Sequence, residues 1–290
     1  MNTTKGFKRI LLATDGSEQA EAAVDATIAL GRPASAEVCV VHVWNLEVYE
    51  RNGRWDLDGR GEAARLLIKT VGSLRAAGLV TEARLCQASK DQVAATVALT
   101  AREFAADLVV LGSRGLSDWQ SIFKHSVSHQ VLSAVDCPVL VVRGRPDVAE
   151  KEPRRVLLAI AGGTDVAPCV RAATAAAETP NSKVLVVHVV QAMFGAEGFA
   201  YVESDDEIHT TMASAIEILN NAGVAAEGMV AHSGPVAKSI AEIASSWHAD
   251  LVVVGSSRIG DLGSLILGSV SHGLLRETAL PVLVAERINT

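Results

Sequence analysis

The sequence predicts an α/β protein made of two tandem open-sheet domains, each a five-stranded parallel sheet flanked by helices. Three observations predict it. Segments of the first half recur in order in the second, the mark of a duplicated unit. Within each half, short continuous apolar runs alternate with longer stretches of helical period, the pattern of βαβ units. Those runs lack polar alternation, as strands covered on both faces should.

The repeat fixes the organisation. Lys8-Arg9-Ile10-Leu11-Leu12-Ala13 returns as Arg154-Arg155-Val156-Leu157-Leu158-Ala159, and Val40-Val41-His42-Val43 returns as Val186-Val187-His188-Val189, both at an offset of 146 positions. Ala106-Asp107-Leu108-Val109-Val110-Leu111-Gly112-Ser113 matches Ala249-Asp250-Leu251-Val252-Val253-Val254-Gly255-Ser256, and Cys137-Pro138-Val139-Leu140-Val141 matches Leu280-Pro281-Val282-Leu283-Val284, at an offset of 143. The boundary falls in the polar stretch 143–153, where Gly144, Pro146 and Pro153 suit a linker. The expected division is a first domain of residues 1–143, a linker of 144–153 and a second domain of 154–290, which a 290-residue chain can accommodate.

In the first half, strands are expected at residues 10–13, 38–43, 108–111 and 139–142, with one more near 83–86, five in all. Between them Val93, Val97, Ala101 and Phe104 share one helical face. In the second half Val236, Ile240, Ile243 and Trp247 do the same, behind a Gly234-Pro235 start signal. Such stripes read as core.

Composition narrows the function. The formal net charge is −7 and no Lys/Arg cluster occurs, which argues against nucleic acid while leaving room for a small anion in a local pocket. Cys39, Cys86, Cys137 and Cys169 form no CxxC pair and no secretory signal precedes the first apolar run, so a cytoplasmic protein with reduced thiols is expected. No apolar stretch reaches the roughly 18 residues that span a bilayer, so no membrane association is expected.

In an open parallel sheet ligands bind beyond the carboxyl ends of the strands. After the first strand comes Thr14-Asp15-Gly16-Ser17-Glu18. It reads equally as a turn with a helix start and as a carboxylate placed to hold a ribose or base edge. After the fourth strand come Gly112-Ser113-Arg114-Gly115 and then Ser126-Val127-Ser128-His129 opening a helix. Glycines let backbone N–H groups approach a phosphate, and a helix N-terminus supplies further donors. Capping by Ser126 explains that residue without a ligand.

These residues together resemble the universal stress protein family: the strand-end Asp15, the His42-Val43 ending of the second strand, and the run from Gly112 through Ser126-Val127-Ser128-His129 to Cys137-Pro138-Val139-Leu140-Val141-Val142. The resemblance spans nearly the whole chain, once per half. It implies an adenine-nucleotide alpha hydrolase-like fold and a stress-responsive regulatory or protective role. It also implies that the halves pack as an intramolecular version of the dimer that single-domain relatives form, with the fifth strands, 139–142 and 282–284, in contact.

Members that bind ATP carry an early Asp, a Val near the adenine, and a Gly, two residues, Gly, nine residues, Gly-Ser or Gly-Thr pattern for phosphates and ribose; other members bind no nucleotide. In the first half Asp15, Val43, Gly112, Gly115 and Ser126 match and Ser128 follows in the same helix start, but His125 stands at the third glycine. In the second half Val189, Gly255, Gly268 and Ser269 match, while Ala161 replaces the Asp and Arg258 the second glycine. The first half is the better candidate for ATP or another adenine nucleotide. The alternative is an interaction scaffold with degenerate pockets.

Other signals carry less. Ser126 and His129 lie three apart on one helix with no Asp placed to orient the His, so no catalytic residue is assigned and an enzyme is not expected. The histidines show no metal-ligand spacing, and no structural metal is expected. No GxxxxGK[ST] loop occurs, and Lys124 is the only ammonium near the Gly112 loop. Trp119, Ile122 and Phe123 make that loop apolar, suiting packing against the other domain or a lid over a ligand. Pairing of two chains into a homodimer is left open.

Overall fold

A computed structural model of the chain describes residues 6–44, 58–113, 127–143, 152–161, 165–190, 192–195, 198–201, 204–232, 234–255 and 268–285. The chain forms two compact units, one over residues 7–151 and one from Glu152 onward.

The first unit runs β1 (Arg9–Ala13), α1 (Glu18–Ala34), β2 (Glu37–Trp44), α2 (Asp58–Ala76), β3 (Val80–Gln87), α3 (Val93–Glu103), β4 (Leu108–Ser113), α4 (Val127–Ala134) and β5 (Val139–Arg143). Its strands are ordered β5-β4-β1-β2-β3, all parallel. The chain steps outward from β1 to β3 and then returns to the other side of β1, so a topological switch point lies between β1 and β4. Helices α1 and α2 pack together against the sheet, and α3 packs with α4.

The second unit repeats this with β6 (Arg155–Ala159), α5 (Ala167–Ala176), β7 (Lys183–Val190), α6 (Asp205–Asn221), β10 (Ala225–His232), α7 (Val236–Ser246), β11 (Leu251–Val254), α8 (Ser269–Glu277) and β12 (Val282–Val284). Its order is β10-β7-β6-β11-β12, placing the switch point between β6 and β11. Unlike the expectation of five strands alone, it also carries an antiparallel hairpin of β8 (Ala192–Gly195) and β9 (Gly198–Tyr201) between β7 and α6.

The central strands are buried through their middles. Ile10, Leu11, Leu12, Leu108, Val109 and Val110 are fully enclosed, as are Val156, Leu157, Leu158, Val252 and Val253. The expected helical stripes are buried in part: Val97 and Ala101 of α3, Phe104 just past its end and Ile240 of α7 are buried, while Val93, Val236, Ile243 and Trp247 are half-buried; α7 starts directly after Pro235.

The amino ends of the sheets are tied by a device that occurs in both units. The Asp107 carboxylate accepts from the backbone N–H of Lys8 at 2.7 Å and of Arg9 at 3.0 Å; Asp250 accepts from Arg154 and Arg155 at 2.9 and 2.8 Å. The Arg9 guanidinium lies 4.3 Å over the Phe104 ring and that of Arg155 lies 5.8 Å over Trp247. These contacts start β1 and β6 in register against β4 and β11.

Candidate functional site

Register assembles the site at the carboxyl ends of the strands. Ala13 pairs with Val41 on one side and Leu111 on the other, so Asp15, two residues on, emerges level with Val43 of β2 and Ser113 of β4. Neighbouring strands lie about 4.8 Å apart, so these three positions span roughly 10 Å across the switch point. Gly112 is the penultimate residue of β4 and still pairs with Val142 of β5, as Ser113 does with Arg143.

The loop carrying Asp15 is held from three sides. Thr14 N–H donates to Val41 O at 3.0 Å, continuing the ladder one residue past β1. His42 Nδ1 lies 2.7 Å from Thr14 O, so this nitrogen carries the proton and donates, capping the strand. Asp15 Oδ1 accepts from Ser17 N–H at 3.0 Å and from Ser17 Oγ at 2.6 Å, a side-chain-stabilised turn. Between them Gly16 sits at φ +76°, and a Cβ there would overlap Leu66 of α2. Both features require glycine. Of the two roles open to Asp15, the turn is directly seen; the residue is nevertheless exposed at the carboxyl end of the sheet.

The helix that follows β4 brings Ser128, half-buried in the first turn of α4, to the same end of the sheet. Burial depresses the His129 imidazole below its ordinary range, so it is neutral at physiological pH. Gly115, His125 and Ser126, and the apolar loop residues Trp119, Ile122 and Phe123 with Lys124, lie outside the described residues, as does Arg258.

The second unit keeps the frame and changes the contents. Ile160 N–H donates to Val187 O at 3.0 Å, and His188 Nδ1 lies 3.1 Å from Ile160 O, repeating the strand cap of the first half. Val189 is buried on β7 next to it. Ala161 stands exposed where Asp15 stands in the first unit, and Asp165, four residues later, instead accepts from Ala167 N–H at 2.9 Å to start α5. Gly268 is the buried N-cap of α8 at φ −57°, a conformation open to any residue, and Ser269 is its exposed first residue. Ser271, the equivalent of Ser128, donates to Gly268 O at 3.0 Å and acts as helix-start structure.

Gly255 has a packing role that the sequence did not reveal. A Cβ there would lie 3.1 Å from Cys169 Sγ on α5, so the absent side chain makes room for a thiol. That thiol is pushed up to about 11 by burial, the nearby Asp165 adding to the effect. Among the described residues no group of His, Cys, Asp and Glu converges as a metal site. No helix of the described residues is long and apolar enough to cross a membrane.

Comparison with known proteins gives one answer for both halves. The universal stress protein family model matches residues 6–143 and again residues 152–286. Universal stress protein Rv2005c of Mycobacterium tuberculosis is 29% identical over 302 aligned positions, covering 96% of this chain and 97% of its own. Universal stress protein YxiE of Bacillus subtilis is 29% identical over 148 positions, 47% of this chain and 99% of its own. The crystal structure of a universal stress protein from Archaeoglobus fulgidus superposes with a TM-score of 0.74 at 20% identity, covering 99% of this chain and 100% of that one, a likeness of fold.

Proposed function

Because the chain belongs to the universal stress protein family, with one copy of the domain in each half, we propose that it is a cytoplasmic stress-response regulator whose first half binds ATP or another adenine nucleotide. The observation that carries this reading is the register of β1, β2 and β4, which sets the exposed Asp15 carboxylate level with Val43 and Ser113 at the switch point. In this reading Asp15 and Val43 engage the nucleoside, while Gly112, Gly115, Ser126 and Ser128 meet the phosphates through backbone N–H and hydroxyl donors. His125 borders the phosphates where relatives that bind ATP have glycine. The protein acts by binding and carries no catalytic residue.

The second half is a partner domain in this reading. Val189, Gly255, Gly268 and Ser269 retain part of the pattern, but Ala161 offers no carboxylate and the space beside Gly255 adjoins Cys169. Those two features favour, for this half, the second reading of an interaction scaffold.

Calorimetric titration of the full chain with ATP tests the assignment. Saturable binding at one site per chain, abolished by Asp15→Ala and retained by an Ala161→Gly control, is the expected result. No binding by the wild-type chain, with binding gained in His125→Gly, would replace it with a retired pocket and the scaffold reading for both halves.

A further inference from the structure

We propose that, within the nucleotide reading of the first-half site on which this rests, Arg143 is the cation that recognises phosphate and makes the site select adenine nucleotides with a phosphate chain over adenosine. Val41, Ala13, Leu111 and Val141 lie side by side on β2, β1, β4 and β5. Side chains alternate along a strand, so Val43, Ser113 and Arg143, each two residues further on, leave the same face of the sheet. Ser113 and Arg143 are paired across β4 and β5, and Asp15 emerges from β1 level with them.

The order of chemistry along this row is that of a nucleotide. From β2 to β5 it reads an apolar side chain at Val43, a carboxylate at Asp15, a hydroxyl at Ser113 and a guanidinium at Arg143. With about 4.8 Å between neighbouring strands, the row is roughly 14 Å long. A base against Val43 and a ribose at Asp15 direct the phosphates over β4 towards β5, where Arg143 stands. Arg143 is enclosed, with 8% of its surface exposed, and burial holds its pKa below the ordinary value. A guanidinium stays charged all the same, and away from water its attraction for an anion is screened less. Its five N–H donors let it keep a protein partner and still donate to phosphate oxygens, whose geometry matches its fork.

The repeat shows that the fold does not demand this cation. At the offset of 143 positions that relates the fifth strands of the two halves, Glu286 stands in the sequence where Arg143 stands. Ala161 likewise stands where Asp15 does. The half without the carboxylate therefore also has the opposite charge at the end of the row. Strand pairing runs through the backbone and tolerates either side chain. The presence of Asp15 and Arg143 together in one half, and the loss of both in the other, is what a shared ligand requires.

Calorimetric titration with ATP, ADP and adenosine, on the full wild-type chain and on Arg143→Gln and Arg143→Lys, tests this role. In the wild type, affinity should rise from adenosine to ATP by about tenfold or more, as a charge-assisted pair supplies. Arg143→Gln should remove that gain while adenosine, which has no phosphate to lose, binds as before; that binding also shows that the variant folds. Arg143→Lys should keep part of the gain, since it retains the charge without the fork. ATP bound equally tightly by the wild type and Arg143→Gln, and still lost in Asp15→Ala, would overturn the role of Arg143 and leave the nucleotide site standing. Loss of adenosine together with ATP in Arg143→Gln would make the residue structural and overturn it as well. A wild-type chain that binds neither ATP nor adenosine would overturn the nucleotide reading itself, and this role with it.

Discussion

Replacing Gly16 by alanine tests whether the Asp15 loop is held as the structure describes. The backbone at Gly16 has φ +76°, a left-handed conformation that costs an L-residue about 1–2 kcal/mol. The added methyl would overlap Leu66 Cδ1 and lie 3.1 and 3.3 Å from Leu66 Cδ2 and Cγ. Leu66 is half-buried and can turn partly aside, so overpacking adds about 1 kcal/mol, the lower end for an inserted methyl. The expected loss is therefore about 2–3 kcal/mol in the first half. Tryptophan fluorescence during urea unfolding reads it cleanly in a Trp247→Phe background, where the remaining tryptophans, Trp44, Trp55 and Trp119, all lie in that half. Leu66→Ala removes the overlap but not the φ cost, so the double variant should show a coupling of about 1 kcal/mol in favour of the pair. A Gly16→Ala loss below about 0.5 kcal/mol, or strict additivity with Leu66→Ala, would refute the description of this loop.

Three further outcomes follow from other contacts. Burial, with Glu82 beside it, pushes the Cys39 thiol up to about 12, and burial pushes the half-buried Cys169 up to about 11, so neither forms thiolate near neutral pH; alkylation at pH 8 read by peptide mass spectrometry should spare Cys39 and be slow at Cys169 until the chain unfolds, and rapid labelling of Cys39 in the native protein would contradict its burial. His129 titrates below its ordinary 6.5 in the folded chain because burial disfavours its charge. The unfolded chain then takes up the proton first, so this contribution to stability is full above the ordinary value and is lost as pH falls through it towards the depressed native value; His129→Gln should flatten the dependence of first-half stability on pH in that window, and an unchanged slope would assign it elsewhere. Asp107→Ala leaves the N–H groups of Lys8 and Arg9 without their acceptor and should cost about 2–4 kcal/mol, with Asp250→Ala costing a similar amount in the second half; thermal unfolding of either variant at the wild-type midpoint would show that solvent replaces these bonds.

The parts of the fold that were legible in the sequence are those fixed by local pattern and by repetition. Strands β1, β2, β4 and β5 lie on the expected apolar runs because they are enclosed on both faces and read as continuous. Strand β3 was only half visible: the run near 83–86 is part of Val80–Gln87, an edge strand whose exposed Val80 and Glu82 break the apolar signal. The hairpin of β8 and β9 was missed because two four-residue strands are too short for a period to register. In the site, Asp15 and Gly112 were found because they follow strands. The contact between Gly255 and Cys169 was invisible because it joins residues 86 positions apart through packing that only the folded sheet creates. The recurrence of His42 at His188, both at strand ends, marked these histidines as structural, and the structure supplies the contact, a cap on the backbone carbonyl that follows the neighbouring strand.

The two halves separate what maintains the fold from what serves a ligand. Three arrangements survive in both copies: the Asp107 and Asp250 anchors, the Arg9 and Arg155 contacts with a ring, and the His42 and His188 strand caps. Each satisfies a backbone or charged group at a strand end, and each is kept in both halves although the ligand-site residues differ. Asp15 has no counterpart at Ala161, yet Ile160 still pairs with Val187 and the histidine still caps it. A carboxylate at this position is therefore not required to end the strand or to launch the helix, because in the second half Asp165 starts α5 from a different place. The turn that Asp15 makes with Ser17 is one solution among several for a helix start. Its placement on the first residue outside the sheet, level with Val43 and Ser113, is the property that the fold alone does not demand.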